Sequence, residues 1–130
     1  MSRFTGKTLA ALRDEKILGV RAGTEPHKFI GIWMVIVNGR LFVRSWSLKP
    51  RSWWRTFVKE RRGAITVGGK EIPVRAVQTR SEQMKDAVSR AYAEKYNTPG
   101  SLKYVKDMSR KKSRDTTTEL LPLETRRSQR

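Results

Sequence analysis

The sequence contains no cysteine. Disulfides, thiolate zinc sites, iron–sulfur clusters and cysteine nucleophiles are therefore excluded. Histidine is almost as scarce. His27 stands alone in a turn-like stretch, which leaves no material for a His-rich metal site or for a Ser-His-Asp system elsewhere, and no metal is expected. Acidic residues number 12 against 29 Lys+Arg and are scattered. No two carboxylates are spaced for hydrolysis, and no aspartate cluster suggests a two-metal centre. Long apolar runs are missing too. The longest, Ile30 to Val37, is strand-sized and far short of the roughly 18 residues that a membrane-spanning helix needs. The N-terminal stretch MSRFTGKTLAALRDEK has no apolar core and no small-residue cleavage site. It does not read as a secretory signal, and a cytoplasmic location is the expectation. Neither a P-loop nor a Rossmann glycine pattern is present.

What is abundant is positive charge. The 130 residues carry a formal +17, of which +12 falls in residues 1–100 and +5 in residues 101–130. The excess therefore belongs to the body of the chain as well as its tail. It exceeds what solubility asks of a small domain. It favours anionic partners such as phosphorylated cofactors, nucleotides or nucleic acid. The length fits one domain, and 37% hydrophobic residues suffice for one modest core. One domain over 1–124 and a basic, disordered tail over 125–130 are expected.

Two hairpins stand out. Gly31 to Val37 and Arg40 to Trp46 flank Asn38-Gly39, and both turn residues tolerate the positive φ of a type I′ turn. A two-residue loop sets Val37 opposite Arg40, Val35 opposite Phe42, and Trp33 opposite Arg44. One face then carries Ile32, Met34, Ile36, Leu41, Val43 and Ser45, which reads as core. The other carries Trp33, Val35, Val37, Arg40, Phe42, Arg44 and Trp46. It is too apolar for a solvent face and too cationic for a second core, so it is expected to meet a ligand, a partner subunit or the helix that follows. The second hairpin joins Ala64–Val67 to Lys70–Val77 through Gly68-Gly69. Pro73 marks an edge position or a bulge in it.

Helices are expected over Thr5 to Leu18, leading into a first strand at Ile17 to Ala22, and over Arg51 to Arg62, ended by Gly63. A further helix spans Ser81 to Tyr96 with Ser81 as N-cap, and a shorter one Leu102 to Met108. Thr116 to Leu123 is β-rich and placed to close the sheet. About six short strands with helices between hairpins predict an α+β domain built on a small antiparallel barrel.

The candidate site lies at Arg44 to Phe57. Arg44, Lys49, Arg51 and Arg55 sit on a strand end, a loop and a helix start, where guanidinium groups and helix N–H donors suit a phosphate. Ser45, Ser47 and Ser52 add hydroxyls. Trp33, Trp46, Trp53 and Trp54, the whole tryptophan complement, can stack on a flat ring. One of Trp53 and Trp54, together with Phe57, is expected to pack the helix instead. No catalytic side chain is identified, so either a cofactor brings the chemistry or the protein only binds.

FIGIWMVIVNGRLFVRSW (29–46), KPRSWWRTF (49–57), GAITVGGKEIPVRA (63–76), AYAEKYNTPGSLKYV (91–105) and TTTELLPL (116–123) resemble a bacterial family of domains of unknown function. The layout is similar to the flavin-binding split barrels, the pyridoxamine-phosphate oxidase-like proteins and the deazaflavin-dependent nitroreductases. The resemblance implies an FMN or deazaflavin phosphate held on the outer barrel face, often at a homodimer interface. The matching positions are Arg44, Ser45, Trp46, Lys49, Arg51, Ser52, Trp53 and Trp54. It implies hydride or electron transfer if the protein is an enzyme. Two alternatives use the same face: a nucleic-acid-binding module, with arginines on phosphates and tryptophans on bases, and a cofactor-free dimeric scaffold.

Overall fold

The computed structural model describes residues 3–25, 27–46 and 52–123. In chain order the elements are α1 (Gly6–Asp14), β1 (Leu18–Ala22), β2 (Ile30–Ile32), β3 (Met34–Val37), β4 (Arg40–Val43) and α2 (Trp53–Lys59). They continue with β5 (Arg62–Val67), β6 (Lys70–Gln78), α3 (Glu82–Lys95), α4 (Pro99–Met108), α5 (Lys111–Arg114) and β7 (Thr118–Pro122). The expected tail and the candidate site residues Lys49 and Arg51 lie outside the described residues.

Both hairpins form with the turns that their sequences demand. Asn38 and Gly39 have φ of 53° and 72°, and Gly68 and Gly69 have 57° and 77°, the left-handed region that a type I′ turn requires at both positions. The register follows from the turn: Val37 opposes Arg40, Val35 opposes Phe42 and Met34 opposes Val43. Pro73 sits in the part of β6 that runs past the last β7 pair, Val74–Pro122. Its missing N–H therefore costs the β6–β7 ladder nothing.

All strands are antiparallel in one sheet of order β2-β1-β5-β6-β7-β4-β3. The two ends of that order, β2 and β3, are separated in the chain by Trp33 alone. Ile30–Ile32 pairs with β1, and Met34–Val37 pairs with β4. The expected first hairpin strand is thus two strands bent at one residue, which raises the count from about six to seven. The bend curls the sheet into a nearly closed barrel, so the fold is α+β, as predicted. β7 is inserted between β6 and β4.

Leu18, Val20, Met34, Leu41, Val43, Ile65, Val74 and Leu120 fill the barrel, and Leu12 of α1 and Phe57 of α2 plug it. Val35 and Phe42 point the other way. There they meet Val88, Tyr92 and Tyr96 of α3 and Val105 and Met108 of α4. The mixed face is therefore largely a second core, covered by α3 and α4 rather than by the helix that follows it. Its two arginines fit because each finds acceptors. Arg40 pairs with Glu119 at 2.7 Å on the rim; Arg44 is described below.

α2 is shorter than expected. Ser52 caps it by accepting from the Arg55 N–H, but it ends at Lys59. Gly63 is a strand residue, opposite Ala22 on one side and Val74 on the other. Pairing of β5 with two neighbours outcompetes a last helical turn.

Candidate functional site

The bend at Trp33 is pinned from α3. Tyr92 donates to the Trp33 carbonyl at 3.1 Å. The Tyr96 hydroxyl accepts from the Met34 N–H at 3.1 Å and donates to the Lys16 carbonyl at 2.7 Å. Burial pushes the Tyr96 phenol up to about 12 and raises that of Tyr92 further, so both remain donors. Lys95 adds contacts to the Leu12 and Met34 carbonyls at 3.2 and 3.1 Å.

With its backbone held, the Trp33 ring stacks on Tyr96, with centroids 4.1 Å apart and planes 6° from parallel. Tyr104 of α4 stands edge-on to Trp33 at 6.3 Å and to Trp46 at 5.3 Å. Trp33, Tyr104 and Trp46 line a cavity of about 670 Å³. Trp53 of α2, the strand β2 and Met108 of α4 also line it. Trp46 is 64% exposed at the mouth. A void of this size lined by aromatic and apolar side chains is in the usual range for small-molecule sites.

Six of the predicted site residues line this cavity: Trp33, Arg44, Ser45, Trp46, Ser52 and Trp53. Trp54 does not. Its indole N–H donates to Gln78 Oε1 at 2.8 Å and its ring lies beneath the Arg55 guanidinium. Phe57 is core, 1% exposed.

Arg44 reaches the cavity, yet it is only 2% exposed and its guanidinium already has partners. Nε donates to Thr117 Oγ1 at 2.8 Å, Nη1 to Ser89 Oγ and the Met108 carbonyl, and Nη2 to the Lys85 carbonyl at 2.7 Å. Burial lowers its pKa to about 10. It ties β4 to α3, to the end of α4 and to the start of β7. Ser45 is likewise held, its N–H donating to Thr116 Oγ1 and its carbonyl accepting from Ser113 Oγ, both at 2.8 Å.

Five lining residues were not among those predicted: Ile30, Gly31 and Ile32 of β2, and Tyr104 and Met108 of α4. The signal for Tyr104 and Met108 was an i, i+4 pair on one face of α4. Among the described residues no carboxylate and no histidine lines the cavity. His27 stays in its turn, with Nε2 2.9 Å from the Ala22 carbonyl and Nδ1 3.1 Å from that of Lys28. Among the described residues no group of three or more His, Asp or Glu could hold a metal ion, and no helix is long and apolar enough to cross a membrane. The cavity can hold a flat ring; it offers no acid–base pair.

The comparisons with other proteins agree with this picture at the level of family and fold. The family model described as an uncharacterized protein conserved in bacteria (DUF2255) matches residues 7–120, and the chain belongs to that family. No curated protein matches the sequence. The crystal structure of a conserved hypothetical protein, Rv2991, from Mycobacterium tuberculosis is similar with a TM-score of 0.57. It is 12% identical, over 96% of this chain and 82% of that one, so the likeness is one of fold.

Proposed function

We propose that this member of the DUF2255 family binds a flat heteroaromatic cofactor of the flavin or deazaflavin class, with its ring system in the cavity between Trp33, Trp46, Tyr104 and Trp53. The observation that carries the reading is the run of ring contacts Trp33–Tyr104–Trp46 along the cavity, with Tyr96 stacked on Trp33. A protein core has no need of a tryptophan left 64% exposed at the mouth of a void. A ring ligand does, because offset or edge-on contact with it buries large apolar area and adds about 1 kcal/mol per ring pair.

The residues suit the ring better than they suit the phosphate. Arg44 is occupied by four acceptors, so its role is to hold the strand end that presents Ser45 and Trp46. The cations offered to a phosphate are Lys49 and Arg51, which follow Trp46 and precede Ser52 in the sequence; Trp46 and Ser52 line the cavity. Such a cofactor supplies hydride or electron transfer itself. The chain's part is to bind it, orient it and keep water from one face.

Tryptophan fluorescence titrated with FMN, FAD and a deazaflavin tests the reading. Saturable quenching by at least one of them is expected, weakened about tenfold or more by Trp46→Ala. Trp46 is exposed, so this variant keeps the fold. Linear, non-saturating quenching by all three would overturn the proposal.

A further inference from the structure

The positive charge of the chain is not spread evenly. Where the end of α2 meets β5 and the outer half of β6, two hollows of about 590 and 560 Å³ adjoin. They share Val58, Arg61 and Arg75, and so form one trough. Lys59, Arg62 and Arg80 complete its cationic lining. Among the described residues the single carboxylate there, Glu60, is already taken by Arg62 at 3.2 Å. Among the described residues Lys59, Arg61, Arg75 and Arg80 have no ion-pair partner.

This arrangement works against stability. Arg62 and Arg75 are direct cross-strand partners, and like charges in that position are destabilising. The scaffold beneath is rigid, since β5 and β6 pair over six residues and the Ala76 N–H donates to the Arg61 carbonyl at 2.7 Å. The floor is apolar, with Val58 and Val77 48% and 39% exposed. At its wall Gln78 is turned by Trp54, so that its buried Nε2 has no acceptor.

We propose that this trough binds the sugar–phosphate backbone of nucleic acid, at a surface separate from the aromatic cavity, with which it shares no lining residue. Guanidinium groups match phosphate oxygens bidentately. The cations are strung along two adjoining hollows, which suits successive phosphates better than one. The only ring in the trough, Phe57, is buried, so nothing there stacks on a base. Recognition is by backbone charge and independent of sequence.

The test is fluorescence anisotropy of a labelled random-sequence DNA duplex over a series of salt concentrations. Each phosphate neutralised contributes about −0.9 to the slope of log K against log salt. The variant Arg61→Gln/Arg75→Gln/Arg80→Gln is expected to flatten the slope by roughly 2 to 3 and to weaken binding at least tenfold at low salt. A charge-matched control, Lys7→Gln/Arg13→Gln/Lys112→Gln, removes exposed cations from α1 and α5 and keeps the wild-type slope. All six side chains are exposed, so folding is not at risk. Equal losses in the two variants would mean that only the overall charge matters and would overturn the site. So would pyrophosphate displacing the duplex at micromolar concentration, which would mark a small-anion pocket, or an absence of duplex binding at about 50 mM salt.

Discussion

Arg44 brings a charge into the interior, and among the described residues no carboxylate forms an ion pair with it, Asp86 acting only at longer range. Its four acceptors are two hydroxyls and two backbone carbonyls. Desolvation disfavours the charged form, hence the lowered pKa, and the hydrogen bonds offset that cost only while all are made. Removing the side chain leaves Thr117, Ser89 and two carbonyls short of a donor. Arg44→Met is expected to destabilise by about 3 kcal/mol, read as a lower urea midpoint with an unchanged m-value. Arg44→Lys keeps the charge but not the fork, and recovers less than half of that loss. An arginine whose work was only to hold a ligand would leave the midpoint of the free protein unchanged. In the sequence this residue is an arginine beside tryptophans. Nothing local shows that Ser89 and Thr117, 45 and 73 residues away, complete its shell.

At the scale of elements, what was legible was what short-range rules decide. Asn38-Gly39 and Gly68-Gly69 set both hairpin registers, and Ser81 set the start of α3, accepting from the Met84 N–H. The aromatic wall was half legible. Trp33 and Trp46 came from hairpin register, whereas Tyr104 arrives on α4, which the sequence alone cannot dock. The bend at Trp33 was hidden because Ile30 to Val37 is one unbroken apolar run. Only the closure of the sheet, a long-range event, divides it between β1 and β4. Gly63 was misread for a related reason. A glycine after a helix resembles a stop, but this one makes room in a strand. A Cβ at Gly63 would lie 2.5 Å from the Arg21 carbonyl oxygen and 2.7 Å from the Phe57 ring. The first contact is backbone and cannot move aside cheaply. Gly63→Ala is expected to cost about 2 kcal/mol by forcing β1 and β5 apart or lifting Phe57 from the core, measured as a lower thermal midpoint.

For the molecule as a whole, +17 on a small barrel means self-repulsion at neutral pH. One half-buried group adds a local term of the same sign. Burial lowers the Lys95 ammonium to about 8 from 10.5, with Glu15 opposing the shift and Lys16 adding to it. Between those values the unfolded chain binds more protons than the folded one, so stability rises with pH across the window and is flat with respect to Lys95 below it. The group is half-exposed, and solvent screening reduces the effect to on the order of 1 kcal/mol between about pH 8 and 10. Tyr92 and Tyr96, whose phenols are raised, act in the opposite sense, but only above about pH 10. Salt separates the local effect from the global one. Screening relieves repulsion among exposed cations and leaves a partly buried ammonium nearly untouched. Urea midpoints measured at about pH 8 and 10, with and without added salt, are therefore expected to rise with pH in both cases and by less in high salt. In Lys95→Met the rise that survives high salt disappears. If that variant keeps the full high-salt rise, the desolvated ammonium is not its source.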